Sequence, residues 1–227
     1  MRYKFDFGAL VEHWPEFLSG ALTTLQMTAF AVVFGLAIGI LCAIGRRSAS
    51  AVLQWLCGFY VETIRNTPYL IQIFFIFFGL SSIGIKLPIF VAAVLTLVIN
   101  VGAYTAEIVR AGMDTIHPGQ IEAAQALGLS QPQIYWDVIL RPALERVYPA
   151  LTSQFVLMML ASSITSQISA EELTAVANNI QSFTFRAFET YIVVAFLYLL
   201  LAVILKLAFY GFGQIIFPRR RRLGTAL

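Results

Sequence analysis

The sequence is short of charged residues. Only 12% of its 227 residues are charged and 59% are hydrophobic, whereas a soluble domain usually carries about twice that share of charge. There are two cysteines, Cys42 and Cys57, which stand in apolar stretches and form no Cys-x-x-Cys pair, so free buried thiols are expected. This composition argues against a soluble domain and predicts an all-α membrane protein.

The sequence also lacks the motifs of several function classes. It has no Gly-x-x-x-x-Gly-Lys-Ser/Thr loop for ATP phosphates, no His-Glu-x-x-His, no Gly-x-Ser-x-Gly and no pair of intramembrane aspartates. An intramembrane enzyme is therefore disfavoured, and no catalytic residue, cofactor or metal is expected. A secondary transporter is the other alternative, but no internal repeat and no carboxylate in the middle of a span supports it.

About five apolar segments are long enough to cross a bilayer, since each crossing takes roughly 20 apolar residues. We expect one membrane domain over residues 1–227, with spans at 19–45, 51–80, 88–109, 147–170 and 188–217. The second segment is too long for one straight crossing, and Pro68 predicts a break over residues 65–68. Glu62 and Arg65 stand three residues apart and are expected to pair beside this break.

The basic residues set the expected orientation, because lysine and arginine favour the cytoplasmic side. With the N-terminus outside and the C-terminus in the cytoplasm, nine basic residues lie inside: Arg46, Arg47, Arg110, Arg141, Arg146 and Arg219–Arg222. Four then lie outside: Arg2, Lys4, Lys86 and Arg186. Basic residues at span ends do not form a nucleic-acid surface, so no nucleic-acid partner is expected.

The segment 115–142, between the third and fourth spans, is the only sizeable polar stretch between spans. Residues 122–127 form strong helix-forming sequence, and Gly128 suits the left-handed residue that ends a helix. Ser130 then suits the cap of a second helix, which is expected to end at Pro142. The segment predicts a compact helix–turn–helix on the cytoplasmic side.

Three sequence elements carry a family resemblance. Glu122-Ala123-Ala124 with Gly128 six positions after the glutamate resembles the EAA loop of binding-protein-dependent ABC importer permeases. The elements at 65–68 (Arg-Asn-Thr-Pro) and 100–107 (Asn-Val-Gly-Ala-Tyr-Thr-Ala-Glu) resemble the polar amino-acid branch of that family. The resemblance implies a transport subunit that moves polar amino acids into the cytoplasm by alternating access.

The resemblance also implies the partners. Glu122, Ala123, Ala124 and Gly128 are expected to couple the chain to a cytoplasmic ATP-binding subunit, present in two copies. A second permease and a periplasmic or lipid-anchored amino-acid-binding protein complete the assembly. The expected location is the bacterial inner membrane, where lipid surrounds this multi-pass chain.

Two departures from the family pattern bear on these expectations. The family usually has Leu-Pro nineteen residues after the motif glutamate, whereas here Arg141 and then Pro142 stand there. We expect the same helix end, displaced by one residue. Many relatives also carry a Lys-Asp pair in the fourth span, where this chain has Leu160-Ala161. The missing charges motivate the hypothesis that the second permease is a different chain.

Polar side chains inside spans are candidates for the translocation path, since they are costly in lipid. Asn100, Tyr104 and Glu107 share one face of the third span, where they either line the path or bond neighbouring helices. The polar end of the fourth span favours cavity lining, and its candidates are Gln154, Ser163, Ser166 and Gln167. Lys206, in the fifth span, is expected to extend toward the inner interface.

Overall fold

The computed structural model describes residues 4–217, which are entirely α-, 3-10- or π-helical apart from short turns. The helices are α1 (Trp14–Gly45, after a 3-10 turn at Gly8–His13), α2 (Ala51–Arg65), α3 (Tyr69–Ser82), α4 (Ile89–Asp114), α5 (Pro118–Ala126), α6 (Gln131–Ile168), α7 (Leu173–Thr184) and α8 (Ala187–Ile216). Within the described part of the chain, α1, α4, α6 and α8 are long and apolar enough to cross a membrane, and α3 is a shorter apolar helix. The all-α membrane fold with four to five apolar helices is confirmed.

Small residues bring α1 and α4 into close contact. Ala31, Gly35, Gly39 and Ala43 recur every fourth residue and are buried, so they form one stripe along α1. A Cβ atom added to Gly35 would lie 2.6 Å from Cγ1 of Val101. Helices in lipid associate largely by such close van der Waals packing, so this stripe forms the contact of α1 with α4.

The break before α3 lies where the sequence predicts it. α2 ends at Arg65, and Pro68 precedes the first residue of α3 in an extended conformation. Gln72 closes the break, because its Nε2 donates to the carbonyl oxygens of Ile64 (2.8 Å) and Thr67 (2.9 Å). These two bonds join the end of α2 and the turn after it to the start of α3.

The predicted pair of Glu62 with Arg65 is wrong. The guanidinium of Arg65 lies 5.7 Å from the centre of the Tyr104 ring and 3.7 Å from Oε2 of Glu107. Oε2 of Glu62 instead accepts a hydrogen bond from Asn66. Arg65 ends its helix beside α4, so an aromatic face and a carboxylate on the neighbouring helix compete successfully with a partner three residues back.

The predicted helix end at Pro142 is also wrong. α6 continues from Gln131 through Pro142 and Pro149 to Ile168. A π-helical turn at Ile134–Leu140 directly precedes Pro142, and the N–H of Arg141 donates to a carbonyl five residues back. A wider turn accommodates a residue that has no backbone donor, so the proline does not end the helix. The second helix of the polar segment and the fourth span are therefore one continuous helix.

Ion pairs and hydrogen bonds join different elements at the two ends of the bundle. Arg47 pairs with Asp114 at 2.9 Å, which joins the turn after α1 to the end of α4. Nη1 of Arg146 donates to the carbonyl of Thr115 at 3.2 Å, which adds α6 to the same end. At the other end, the backbone N–H of Asp6 donates to the buried carboxylate of Glu189 in α8.

Candidate functional site

The turn after α5 is fixed by backbone hydrogen bonds. Gly128 has φ of 77°, the left-handed conformation that the sequence predicts. Its N–H donates to Gln125, and the N–H of Leu129 donates to Ala124, so two carbonyls at the end of α5 are satisfied. Ser130 opens α6, with its N–H and its Oγ both bonded to Oε1 of Gln133. The turn leaves little freedom between the two helices.

The EAA residues divide between the two faces of α5. Ala124 is buried against the bundle, whereas Glu122 and Ala123 are exposed. Two large apolar side chains nearby are exposed as well, Leu127 by 82% and Trp136 by 60%. Exposed apolar groups beside a small residue are typical of a protein–protein contact. Leu127 and Trp136 were not predicted as site residues; their place in the polar segment is the signal that identifies them.

Glu107 forms an ion-pair cluster with three arginines. Its carboxylate lies 2.5 Å from Nη2 of Arg110, 2.8 Å from Nη1 of Arg46 and 3.7 Å from Nη1 of Arg65. Asp114 extends the cluster, since it pairs with Arg110 and Arg47. These side chains come from the turn after α1, from α2 and from α4, so the cluster holds these elements together.

Asn100 links α4 to α3 by a side-chain hydrogen bond. Its Nδ2 donates to Oε1 of Gln72 at 2.9 Å, and its Oδ1 is buried without a hydrogen-bond partner among the described residues. Gln72 at the same time bonds the carbonyls at the break before α3. Asn100 and Gln72 therefore bond neighbouring elements, which is the helix-bonding alternative for Asn100. Asn100, Tyr104 and Glu107 thus belong to two separate groups of contacts: Asn100 bonds Gln72, whereas Tyr104 and Glu107 lie beside Arg65.

The polar end of α6 is a 3-10 helix over Ser162–Ile168 that packs against α3 and α4. Each of its hydroxyls donates to the carbonyl three residues back, as Ser163 does to Leu160 (2.8 Å) and Ser166 does to Ser163 (2.7 Å). Ser163 and Ser166 are half-buried, as is Gln154, which lies nine residues before Ser163, and Gln167 is exposed. The site candidates of α6 thus lie along one helix, apart from the ion-pair cluster of α4.

Glu172 is a buried polar contact that the sequence places only in a loop. It is fully buried and caps α7, since Oε1 accepts from the N–H of Ala175 at 2.9 Å. Its Oε2 accepts from the hydroxyl of Tyr198 at 2.6 Å, which fastens α7 to α8. Burial raises the pKa of this carboxyl group. An acidic residue directly before a helix-forming stretch is the sequence signal for this contact.

Comparisons with known proteins agree with this architecture. The model of the family described as binding-protein-dependent transport system inner membrane component matches residues 35–222. The glutamine transport system permease protein GlnP of Escherichia coli (strain K12) is 35% identical over 205 residues, which cover 89% of this chain and 94% of that protein.

Solved structures give the same result. The crystal structure of an amino acid ABC transporter with histidines is 37% identical, with a TM-score of 0.85 over 93% of this chain and 99% of that chain. The MetNI methionine ABC transporter, in an inward-facing conformation, shares the fold, with 21% identity and a TM-score of 0.74 over 91% of this chain and 98% of that chain.

The chain therefore belongs to the family of inner-membrane components of binding-protein-dependent transport systems. It is a permease subunit of an amino-acid ABC importer, located in the inner membrane, and it is a transport component and not an enzyme. Membership in this family implies an ATPase and a binding protein as partners.

Proposed function

We propose that the exposed face of α5 docks on a cytoplasmic ATPase and transmits its movement to the spans. The observation that carries this proposal is that α5 is capped at both ends while Ala123 and Leu127 face away from the bundle. Glu122, Ala123 and Ala124 form the docking helix, and Gly128 sets its direction. Two ATPase copies serve the two permeases of the assembly, one on each α5.

The connections of α5 support a lever mechanism. On one side, a short turn joins it to α4, and Arg146 binds the Thr115 carbonyl within that turn. On the other side, α6 begins three residues after Gly128 and continues without a break into the membrane. A displacement of α5 is therefore passed to α4 and α6, because no flexible segment intervenes. ATP-driven approach of the two ATPases opens the path outward, and hydrolysis returns it inward.

The cargo we propose is a neutral polar amino acid of the glutamine type. The polar side chains of α6 after Pro149, in its membrane part, are uncharged and include Gln154, Ser163, Ser166 and Gln167. The carboxylate of Glu107 is occupied by arginines, so it is not available to an ammonium or guanidinium group of the cargo. The relative from Escherichia coli is named as a glutamine permease. Asn100 and Tyr104 then position α3 and α2 around the path.

Orientation and docking are tested together by cysteine labelling. In a chain with Cys42 and Cys57 replaced by alanine, single cysteines at Ser82 and Ser182 should react with a membrane-impermeant maleimide in intact cells. Cysteines at Ser130, at Ala123 and at Gly224 (which lies outside the described residues) should react only in inverted vesicles. All but the last replace exposed residues, so burial does not limit their reaction.

Bound ATPase is expected to protect the cysteine at Ala123, because this residue lies on the docking face. Labelling at Ser130 in intact cells overturns the orientation. Equal labelling at Ala123 with and without the ATPase overturns the docking.

The second permease is proposed to be a different chain that supplies charged substrate-binding groups, since this chain has Leu160 and Ala161 where many relatives have a charged pair. When this chain is expressed with the ATPase alone, loaded binding protein is expected to give no ATPase stimulation. Adding the second permease should restore it. Full stimulation without a second permease contradicts the heterodimer and makes Ser163 and Gln167 the first binding candidates in a homodimer.

A further inference from the structure

A groove between α6 and α8 contains the one lysine of the last span. Its cavity measures about 380 Å³. Its lining residues come from both helices: Tyr148, Pro149, Thr152, Ser153, Lys206, Leu207, Phe209 and Tyr210. None of these residues is acidic, so the ammonium group of Lys206 faces hydroxyl groups, rings and aliphatic surface. A cation in such surroundings is stabilised by an anion from outside the chain.

Close contacts between the two helices define one end of the groove. α6 and α8 approach closely at Gly213, where an added Cβ atom would lie 2.7 Å from the Tyr148 ring. One turn earlier in α8, the carbonyl of Phe209 accepts a 2.6 Å hydrogen bond from the hydroxyl of Tyr148. These contacts fix one end of the groove, and Pro149 inside α6 removes the backbone donor at the next position.

The depth of the groove suits a lipid headgroup. On α6, Tyr148 and Ser153 lie two and seven residues after Arg146, which is at the end of the bundle, so the groove extends from about 3 Å to about 10 Å from that end at the helical rise of 1.5 Å per residue. A lysine can extend its ammonium group by several ångströms toward the membrane surface. Lipid phosphates lie at this surface, just outside the hydrocarbon region.

The surface around Lys206 suits the lipid's acyl chains. Val203, Ile204 and Leu207 are exposed on the same stretch of α8. The sequence after α8 adds Arg219–Arg222, which attract anionic lipid to the same side in the proposed orientation. We propose that this groove binds the phosphate of an anionic phospholipid, with Lys206 as its charge partner and the hydroxyls of Ser153 and Tyr210 as donors.

Native mass spectrometry of the delipidated permease–ATPase complex tests the site. Phosphatidylglycerol and phosphatidylcholine with identical acyl chains are titrated separately against the wild type, Lys206→Met, Lys206→Arg and Lys86→Met. The wild type should bind one phosphatidylglycerol per chain about fivefold more tightly than Lys206→Met does, as expected for one basic residue at an anionic lipid surface. Phosphatidylcholine binding should be equal in all variants, because its headgroup carries no net charge.

The control variants distinguish binding at this site from general electrostatic attraction between the complex and anionic lipid. Lys206→Arg keeps the charge and should bind like the wild type, and so should Lys86→Met, which removes an exposed lysine from the turn between α3 and α4. Arg219–Arg222 are present in every variant, so their contribution to lipid binding is the same in each.

The proposal is overturned if Lys206→Met binds phosphatidylglycerol as tightly as Lys86→Met does. Loss of uptake in Lys206→Met with unchanged lipid binding also overturns it, since the lysine then serves the cargo or the second permease. Displacement of the lipid by inorganic phosphate overturns the assignment to a lipid.

Discussion

Replacing Gly128 by valine is expected to abolish amino-acid uptake while the chain still inserts and binds its ATPase weakly. Gly128 has φ of 77°, and an added Cβ atom would meet no other atom within 4 Å. The substitution therefore introduces no clash; it disfavours the left-handed conformation by about 1–2 kcal/mol. Loss of that conformation breaks the two hydrogen bonds that end α5 and turns the docking helix away from its set direction. Uptake and substrate-stimulated ATPase activity of the reconstituted complex measure the effect.

The chain offers a matched control at Gly84. This residue has φ of 91° and is likewise free of neighbours within 4 Å, but it lies in the turn between α3 and α4. Gly84→Val introduces the same backbone strain and should leave coupling intact. Gly128→Asn should retain most uptake, because asparagine tolerates the left-handed region. Equal uptake by Gly128→Val and Gly84→Val would rule out a coupling role for this turn.

Replacing Gly39 by valine is expected to prevent stable packing of α1 on α4. A Cβ atom added there would lie 2.4 Å from Cβ of Thr105 and 2.9 Å from the carbonyl oxygen of Gly102. Neither neighbour can rotate away, since one is a Cβ atom and the other belongs to the backbone. Overpacking usually costs about 1–3 kcal/mol, and a shift of the whole helix costs more. We expect a lower yield in membranes and a lower unfolding temperature by gel filtration of heated, detergent-solubilised protein.

Gly58 provides the comparison for this substitution. It lies inside α2, and an added Cβ atom would meet nothing within 4 Å. Gly58→Val should therefore insert and unfold like the wild type, with the same change in side-chain volume. Gly39→Ala should already be destabilised, because the clash involves the Cβ atom itself. An unfolding temperature of Gly39→Val equal to that of Gly58→Val would show that α1 and α4 do not pack through this stripe.

Local chemistry allowed much of the fold to be predicted. The long apolar runs identify a membrane protein, since their length matches a bilayer and their composition excludes water. Pro68 predicts the break before α3, because proline restricts its own residue and the one before it. Gly128 predicts the end of α5 for an equally local reason. Each of these predictions depends on a few neighbouring residues, and the structure places each feature where it was expected.

Long-range contacts decided the rest. The sequence around Pro142 predicts a helix end, but the π turn before this residue lets α6 continue into the membrane. Arg65 has a partner three residues away in sequence, yet it lies against Tyr104 and Glu107 because α2 packs beside α4. A sequence pattern gives the faces and ends of each helix; it does not give the distances between helices. The carboxylate that an arginine reaches, and the absence of an acidic residue from the described lining of the Lys206 groove, depend on those distances.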